Sequence, residues 1–218
     1  MRISELSTRS GVSQASIKFY TREGLLPAGD RTGYNQTDYS DDHLTRLRLI
    51  RSLIDVGGLP VAAVGRVLAA VDAPDLPLVE VLGVTQQALP QPVTPPTDSS
   101  RRHVLAFAAE HGWDVHEENP GVRVVAGVLD GWNAVDRGDL AALLPAYARA
   151  ADLVAAADLD AVSGSIEDAR QGGDREAAAQ TVVVGTVLGD QLFAGLRRIA
   201  QQDTAFRRYG PSPGGDTP

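Results

Sequence analysis

The chain has 218 residues, 43% hydrophobic and 22% charged, enough for one large or two small domains with a real core. No uninterrupted apolar run approaches the roughly 18–20 residues that cross a bilayer, and the opening MRISELSTRSG lacks a signal peptide's apolar stretch. Zero cysteines exclude disulfides, thiolate metal sites and a cysteine redox switch, so the expectation is a cytoplasmic protein that engages no membrane. The formal charge of −8, taken whole, weighs against nucleic acid as a partner. It is unevenly spread: residues 1–72 hold nine basic and eight acidic side chains, and residues 73–218 hold eleven and twenty.

In chain order, Ile3 and Leu6 are the apolar positions of a short first helix, which Gly11 breaks. Ser13 is placed to cap a second helix carrying Ile17 and Tyr20 at i, i+3. Gly24 ends it, because a left-handed cap there needs no Cβ. Two helices across a short glycine-bearing turn make a helix-turn-helix. The loop-like stretch from Ala28 to Tyr39 contains Gly33-Tyr34-Asn35-Gln36, which suits a small hairpin. Ser40 caps a third helix with Asp41 and Asp42 in its first turn and an apolar stripe on Leu44, Leu47, Ile50 and Ile54. Gly57-Gly58 closes it, and Pro60 opens a fourth helix on Val61, Val64, Leu68 and Val71.

A short helix is expected over 75–89, followed by an extended linker from Pro90 to Ser100 with four prolines. Further helices are expected near 101–112, 121–136, 139–157 and 174–203, the last with an apolar surface broad enough for burial on more than one side. Gly210 to Pro218 reads as a disordered tail. The fold class is therefore mainly α: a winged helix-turn-helix over 1–72, a short helix and linker over 73–100, an all-helical domain over 101–209, and the tail 210–218.

The segment MRISELSTRSGVSQASIKFYTREGLLP, then Gly33-Tyr34 with Tyr39-Ser40, then HLTRLRLIRSLIDVGGLPVAAVGRVL, resembles the MerR family of transcriptional regulators. The match covers about a third of the chain, and nothing after Val71 adds to it. The resemblance implies a homodimer on double-stranded promoter DNA, with RNA polymerase at the same promoter. It also implies an effector-driven twist of a promoter spacer that is too long for good polymerase contact. It implies a wing that grips the DNA backbone through an aromatic and arginines. Here Asn35-Gln36 replace the basic pair, and Ala15 stands where many members carry arginine.

A recognition helix points its N-terminal side chains at base edges, which favours Gln14, Ser16 and Lys18 here. Lys18, Tyr20 and Arg22 can add phosphate or sugar contacts that set register. Tyr34, Asn35, Gln36 and Tyr39 complete the expected DNA-binding set in the wing, and Arg46 completes it on the third helix. Tyr20 and Tyr39 read equally well as core packing, and the Arg46, Arg48, Arg51 series reads as a solvated face more often than as a phosphate clamp.

For the C-terminal domain the expected effector-binding residues are Trp113, Trp132, Tyr147 and Phe193, for an aromatic or cationic small molecule. Core packing is the competing reading for each. His103, His111 and His116 lack the spacing of a metal site on one helix face, so no metal is assigned. No phosphate loop, GxSxG or HExxH motif is present, so no cofactor and no enzyme activity are assigned. Two other functions fit the same residues: a drug-sequestering resistance protein, and an effector-independent architectural DNA-binding protein.

Overall fold

The computed structural model describes residues 1–33 and 36–210. It shows a mainly α protein with one two-stranded sheet, in agreement with the expected class. Two compact units are formed, one from Met1–Gly58 with the chain from Val184 onward, the other from Leu59–Val183.

In the first unit, α1 (Ile3–Ser10) stops at Gly11, whose φ of 68° is left-handed. α2 (Gln14–Arg22) starts as expected at Ser13, whose hydroxyl accepts from the Ser16 amide at 3.0 Å. Its last turn closes through Gly24 at φ 75°, with the Leu25 amide returning to the Tyr20 carbonyl at 2.9 Å. β1 (Asp30–Gly33) and β2 (Gln36–Asp38) pair antiparallel, so the expected hairpin is present, with an irregularity between Arg31 and Gly33. The tip residues Tyr34 and Asn35 lie outside the described residues. α3 (Asp41–Arg51) opens at Ser40, whose amide donates to His43 Nδ1 at 3.1 Å.

The expected stripe on α3 is shifted by one residue at its end. Ser52–Val56 forms a π-turn, and the Gly57 amide donates to the Ser52 carbonyl at 3.0 Å, five residues back. Leu53 is fully buried where Ile54 was expected, and Ile54 is half-buried beside it. Leu6, Ile17, Leu26, Leu47, Ile50 and Leu53 are almost fully buried and supply the interior of this unit.

In the second unit, α4 (Val61–Asp72) packs on α5 (Leu78–Ala88), with Val64, Val67, Leu68, Val71 and Val81 buried. The linker is shorter than its prolines suggest. Thr97 caps α6 (Asp98–His111) by accepting from the Ser100 amide, so Asp98, Ser99 and Ser100 are helical. α7 (Pro120–Ala134) lies against α6 through Val104, Val122, Ala126 and Leu129. A 3₁₀ segment, Gly138–Leu143, leads into α8 (Leu144–Arg170).

α8 runs thirteen residues past its expected end at 157, so Asp158 and Asp160 are interior helical residues. An alanine-rich stretch with high helix propensity, free of Gly and Pro between Pro145 and Gly164, gives the helix no reason to stop at 157. α9 (Arg175–Tyr209) follows. Arg175 fastens its start by donating to the Val71 carbonyl at 3.0 Å and the Leu76 carbonyl at 2.5 Å. Residues 211–218 of the expected tail lie outside the described residues.

The segments Gly138–Arg170 and Arg175–Tyr209 are each long and apolar enough, by length and composition alone, to cross a bilayer. They meet that test through diluted alanine and valine. Arg149 and Asp152 sit in mid-segment in the first and Asp190 in the second, each a costly residue in hydrocarbon.

Candidate nucleic-acid interface and C-terminal cleft

Local chemistry turns one face of α2 outward. Ile17 is fully buried and anchors the underside, while Gln14, Ala15, Lys18 and Arg22 are exposed. Gln14, Lys18 and Arg22 recur every four residues and share a stripe. Among the described residues Lys18 makes no hydrogen bond or ion pair, leaving its ammonium available to an anion. Arg22 is engaged, lying 5.4 Å from the Phe19 ring centroid and 3.3 Å from Glu23 Oε1. Ser16 is half-buried and its hydroxyl lies 2.8 Å from that of Ser13, so it belongs to the helix cap. Tyr20 is half-buried too; burial, and then the nearby Asp55 charge, push its phenol up, which keeps the hydroxyl a donor.

The wing is fastened to the N-terminus. Arg2 donates to Thr32 Oγ1 at 3.1 Å and Gln36 Oε1 at 3.0 Å, and lies 3.3 Å from Asp38 Oδ1. The terminal ammonium donates to the Tyr39 carbonyl at 2.7 Å, and the Tyr39 amide to the Met1 carbonyl at 2.8 Å. The Tyr39 ring meets His43 edge-on at 5.3 Å. Gln36 and Tyr39 therefore both help to hold the wing in place. Arg2 was missed by the sequence reasoning because its partners lie thirty or more residues away. Arg31 on β1 is an exposed cation that the search for a basic pair at the hairpin tip passed over.

Arg46 was expected on the DNA side and is instead 9% exposed, its Nε donating to the Leu25 carbonyl at 3.0 Å. It braces the turn that follows α2 and thereby positions α2 without presenting a charge to solvent.

The four aromatics expected to bind an effector fall in different units. Phe193 belongs to the first unit, and Tyr147 lies half-exposed on α8. Trp113 closes a side-chain cluster: its Nε1 donates to Asp152 Oδ1 at 2.8 Å, beside His111 Nε2 at 2.8 Å from Asp152 Oδ2. Those bonds hold the Asp152 carboxyl below its ordinary range, His111 contributing most, and tie the end of α6 to α8. Trp132 lines a cleft of about 140 Å³ between α6, α7 and the 3₁₀ segment. It also packs on the α6–α7 core. Near the cleft, Asp130 accepts from Ser100 Oγ at 2.6 Å, the Thr97 amide at 2.7 Å and Thr97 Oγ1 at 2.8 Å. These bonds, that from Ser100 first, lower its pKa.

With this geometry in hand, comparison with known proteins separates the two parts of the chain. The family model described as "MerR HTH family regulatory protein" matches residues 1–71. The mercuric resistance operon regulatory protein of Bacillus cereus is 32% identical over 71 residues, which is 33% of this chain and 53% of that protein. The HTH-type transcriptional regulator YfmP of Bacillus subtilis (strain 168) is 36% identical over 58 residues, 27% of this chain and 41% of that one. The chain thus spans about half the length of the curated relatives it matches. The crystal structure of SCO5550 from Streptomyces coelicolor A3(2), assigned as a transcriptional regulator, reaches further. It is 33% identical, with a TM-score of 0.65, over 98% of this chain and 100% of that one.

Proposed function

Because the chain belongs to the MerR family of helix-turn-helix regulators, we propose that it binds promoter DNA as a homodimer and responds to a small molecule through its C-terminal helices. The observation that carries the DNA half is the outward stripe of Gln14, Lys18 and Arg22 over a buried Ile17, beside a wing held by Arg2. That arrangement suits α2 to the major groove, with base edges facing Gln14 and Lys18 and phosphates facing Lys18 and the wing. Residues 1–72 serve as the reading module, and residues 101–209 as the effector and dimer module. The module works in the cytoplasm, at a promoter that RNA polymerase also occupies, by changing the twist of the DNA between them.

Dimerisation is read from α9. Leu192, Leu196, Ile199 and Phe206 are between 54% and 70% exposed and follow a four-and-three spacing along the helix. A seam of that period fits a second helix, which also accounts for the apolar character of α9 without a bilayer.

The direct experiment is a mobility-shift and footprinting assay of the full chain on the DNA upstream of its own gene. A protected two-fold site inside a promoter spacer is the expected result. Absence of any protected site there, with binding no tighter than to random duplex, sinks the reading.

A further inference from the structure

We propose that the cleft between α6, α7 and the 3₁₀ segment is a binding site for a single-ring aromatic ligand, and that it prefers a cationic ring to an anionic one. This rests on the effector reading above and names the chemistry of its site.

Size fixes the ring count. The cleft's 140 Å³ is close to the roughly 150 Å³ of an engineered protein cavity that accepts one benzene molecule. One six-membered ring with a small substituent at the mouth fills it, whereas a fused tricyclic guest would project from the open mouth into solvent. The walls fix the shape and polarity. Trp132 supplies an indole, which favours a planar guest by stacking, and Leu129 is buried behind it. His103, Ser99 and Asn133 bring polar edges to the rim, where ring substituents can hydrogen-bond.

Charge fixes the sign. No lysine or arginine lines the cleft, and the Ser100 hydroxyl on its wall donates to the Asp130 carboxylate at 2.6 Å. Thr97 adds two further donors to that carboxylate, so it occupies the N-terminus of α6 where an anionic ligand would otherwise bind. A cation on the ring gains from this charge and an anion loses.

The turn that completes the cleft has the character of a built site. Asp136 is the only non-glycine among the described residues with positive φ, at 56°. It lies in a reversal in which the Arg137 amide returns to the Trp132 carbonyl at 2.8 Å. A left-handed aspartate is held there at a cost of order 1 kcal/mol. Next to it, a Cβ on Gly138 would come within 2.6 Å of Asn133 Oδ1, so only glycine leaves the Asn133 amide where it is.

The test uses three ligands of one shape and three charges: benzamidinium, benzamide and benzoate. In the Trp113→Phe chain Trp132 is the only indole, so its fluorescence reports the cleft; calorimetry on the unaltered chain repeats the measurement without any substitution. A ligand of nine heavy atoms should bind with a Kd on the order of 1 mM. Benzamidinium should bind about tenfold more tightly than benzoate, with benzamide between them. Ser99→Phe, at an exposed position on the rim, should abolish binding; Asp130→Asn should erase the order of charges while keeping benzamide. Equal binding of all three, tighter binding of benzoate, or affinity unaffected by Ser99→Phe overturns the proposal. DNA affinity measured with and without benzamidinium separates the two claims. Binding in the cleft without any change at the operator sinks the effector reading and leaves the ligand class standing. No binding in the cleft, with regulated DNA binding intact, does the reverse.

Discussion

Lys18 and Arg46 carry the same formal charge and meet opposite fates. The lysine is exposed on α2, whereas the arginine is folded under the turn that ends α2, bonded to the Leu25 carbonyl. Lys18→Ala should weaken binding to every DNA sequence alike and lower the slope of log affinity against log salt by about one. Fluorescence anisotropy across a salt series reads that slope, and an unchanged slope places Lys18 away from phosphate. Arg46→Met keeps the apolar stem but leaves the carbonyl unpaired. It should cost about 1–3 kcal/mol in chemical denaturation and leave the salt slope of the folded protein as it was. A smaller slope with full stability would return Arg46 to the DNA.

Within elements, much of the layout is legible because local chemistry decides it. Ser13, Gly24 and Ser40 cap the helices they were expected to cap, and Leu6, Ile17, Leu44, Leu47 and Ile50 are buried where periodicity puts them. The π-turn was not legible: nothing in Ser52–Val56 announces an extra residue, and the choice of Leu53 over Ile54 is made by packing. A Cβ on Gly57 would collide with Val187 Cγ1 of α9 and come within 2.7 Å of the Leu53 carbonyl. Gly57→Ala should therefore destabilise the protein by about 1–3 kcal/mol in a thermal melt; a neutral effect would mean that α9 does not dock there. The candidate site was only half legible for a similar reason. Trp132 was among the aromatics expected to bind an effector, but Asp130 meets Thr97 and Ser100 across thirty or more residues, which no local pattern reveals. Asp130 and Asp152 both have lowered pKa values in the fold, so they bind protons less readily folded than unfolded. Their contribution is present above the unfolded carboxyl value of about 3.9 and is lost as pH falls through the folded value. Melting temperature should fall as pH drops below about 4, and less steeply in Asp130→Asn, whose wild-type-like slope would clear that carboxylate of the role.

For the molecule as a whole, the charge that opened against nucleic acid belongs to a particular part of it. Leu59–Val183 holds eighteen acidic and eight basic residues, while the rest of the chain holds ten and twelve. The excess of negative charge therefore lies outside the unit that carries α2 and the wing. A unit with so small a positive excess gains little from bulk attraction to phosphate, so the proposed promoter binding would draw its tightness from two half-sites engaged at once. On the proposed reading, the exposed seam on α9 bears on DNA affinity through dimerisation. Leu196→Glu with Ile199→Glu places two charges in the seam without disturbing a buried residue, since these positions are 54% and 66% exposed in the single chain. Sedimentation should change from dimer to monomer, operator affinity should drop by about a hundredfold or more, and the helical content should stay the same. A double variant that remains dimeric and binds the operator at full strength removes α9 from the interface and turns attention to Leu153 and Leu159 on α8, which are 75% and 55% exposed.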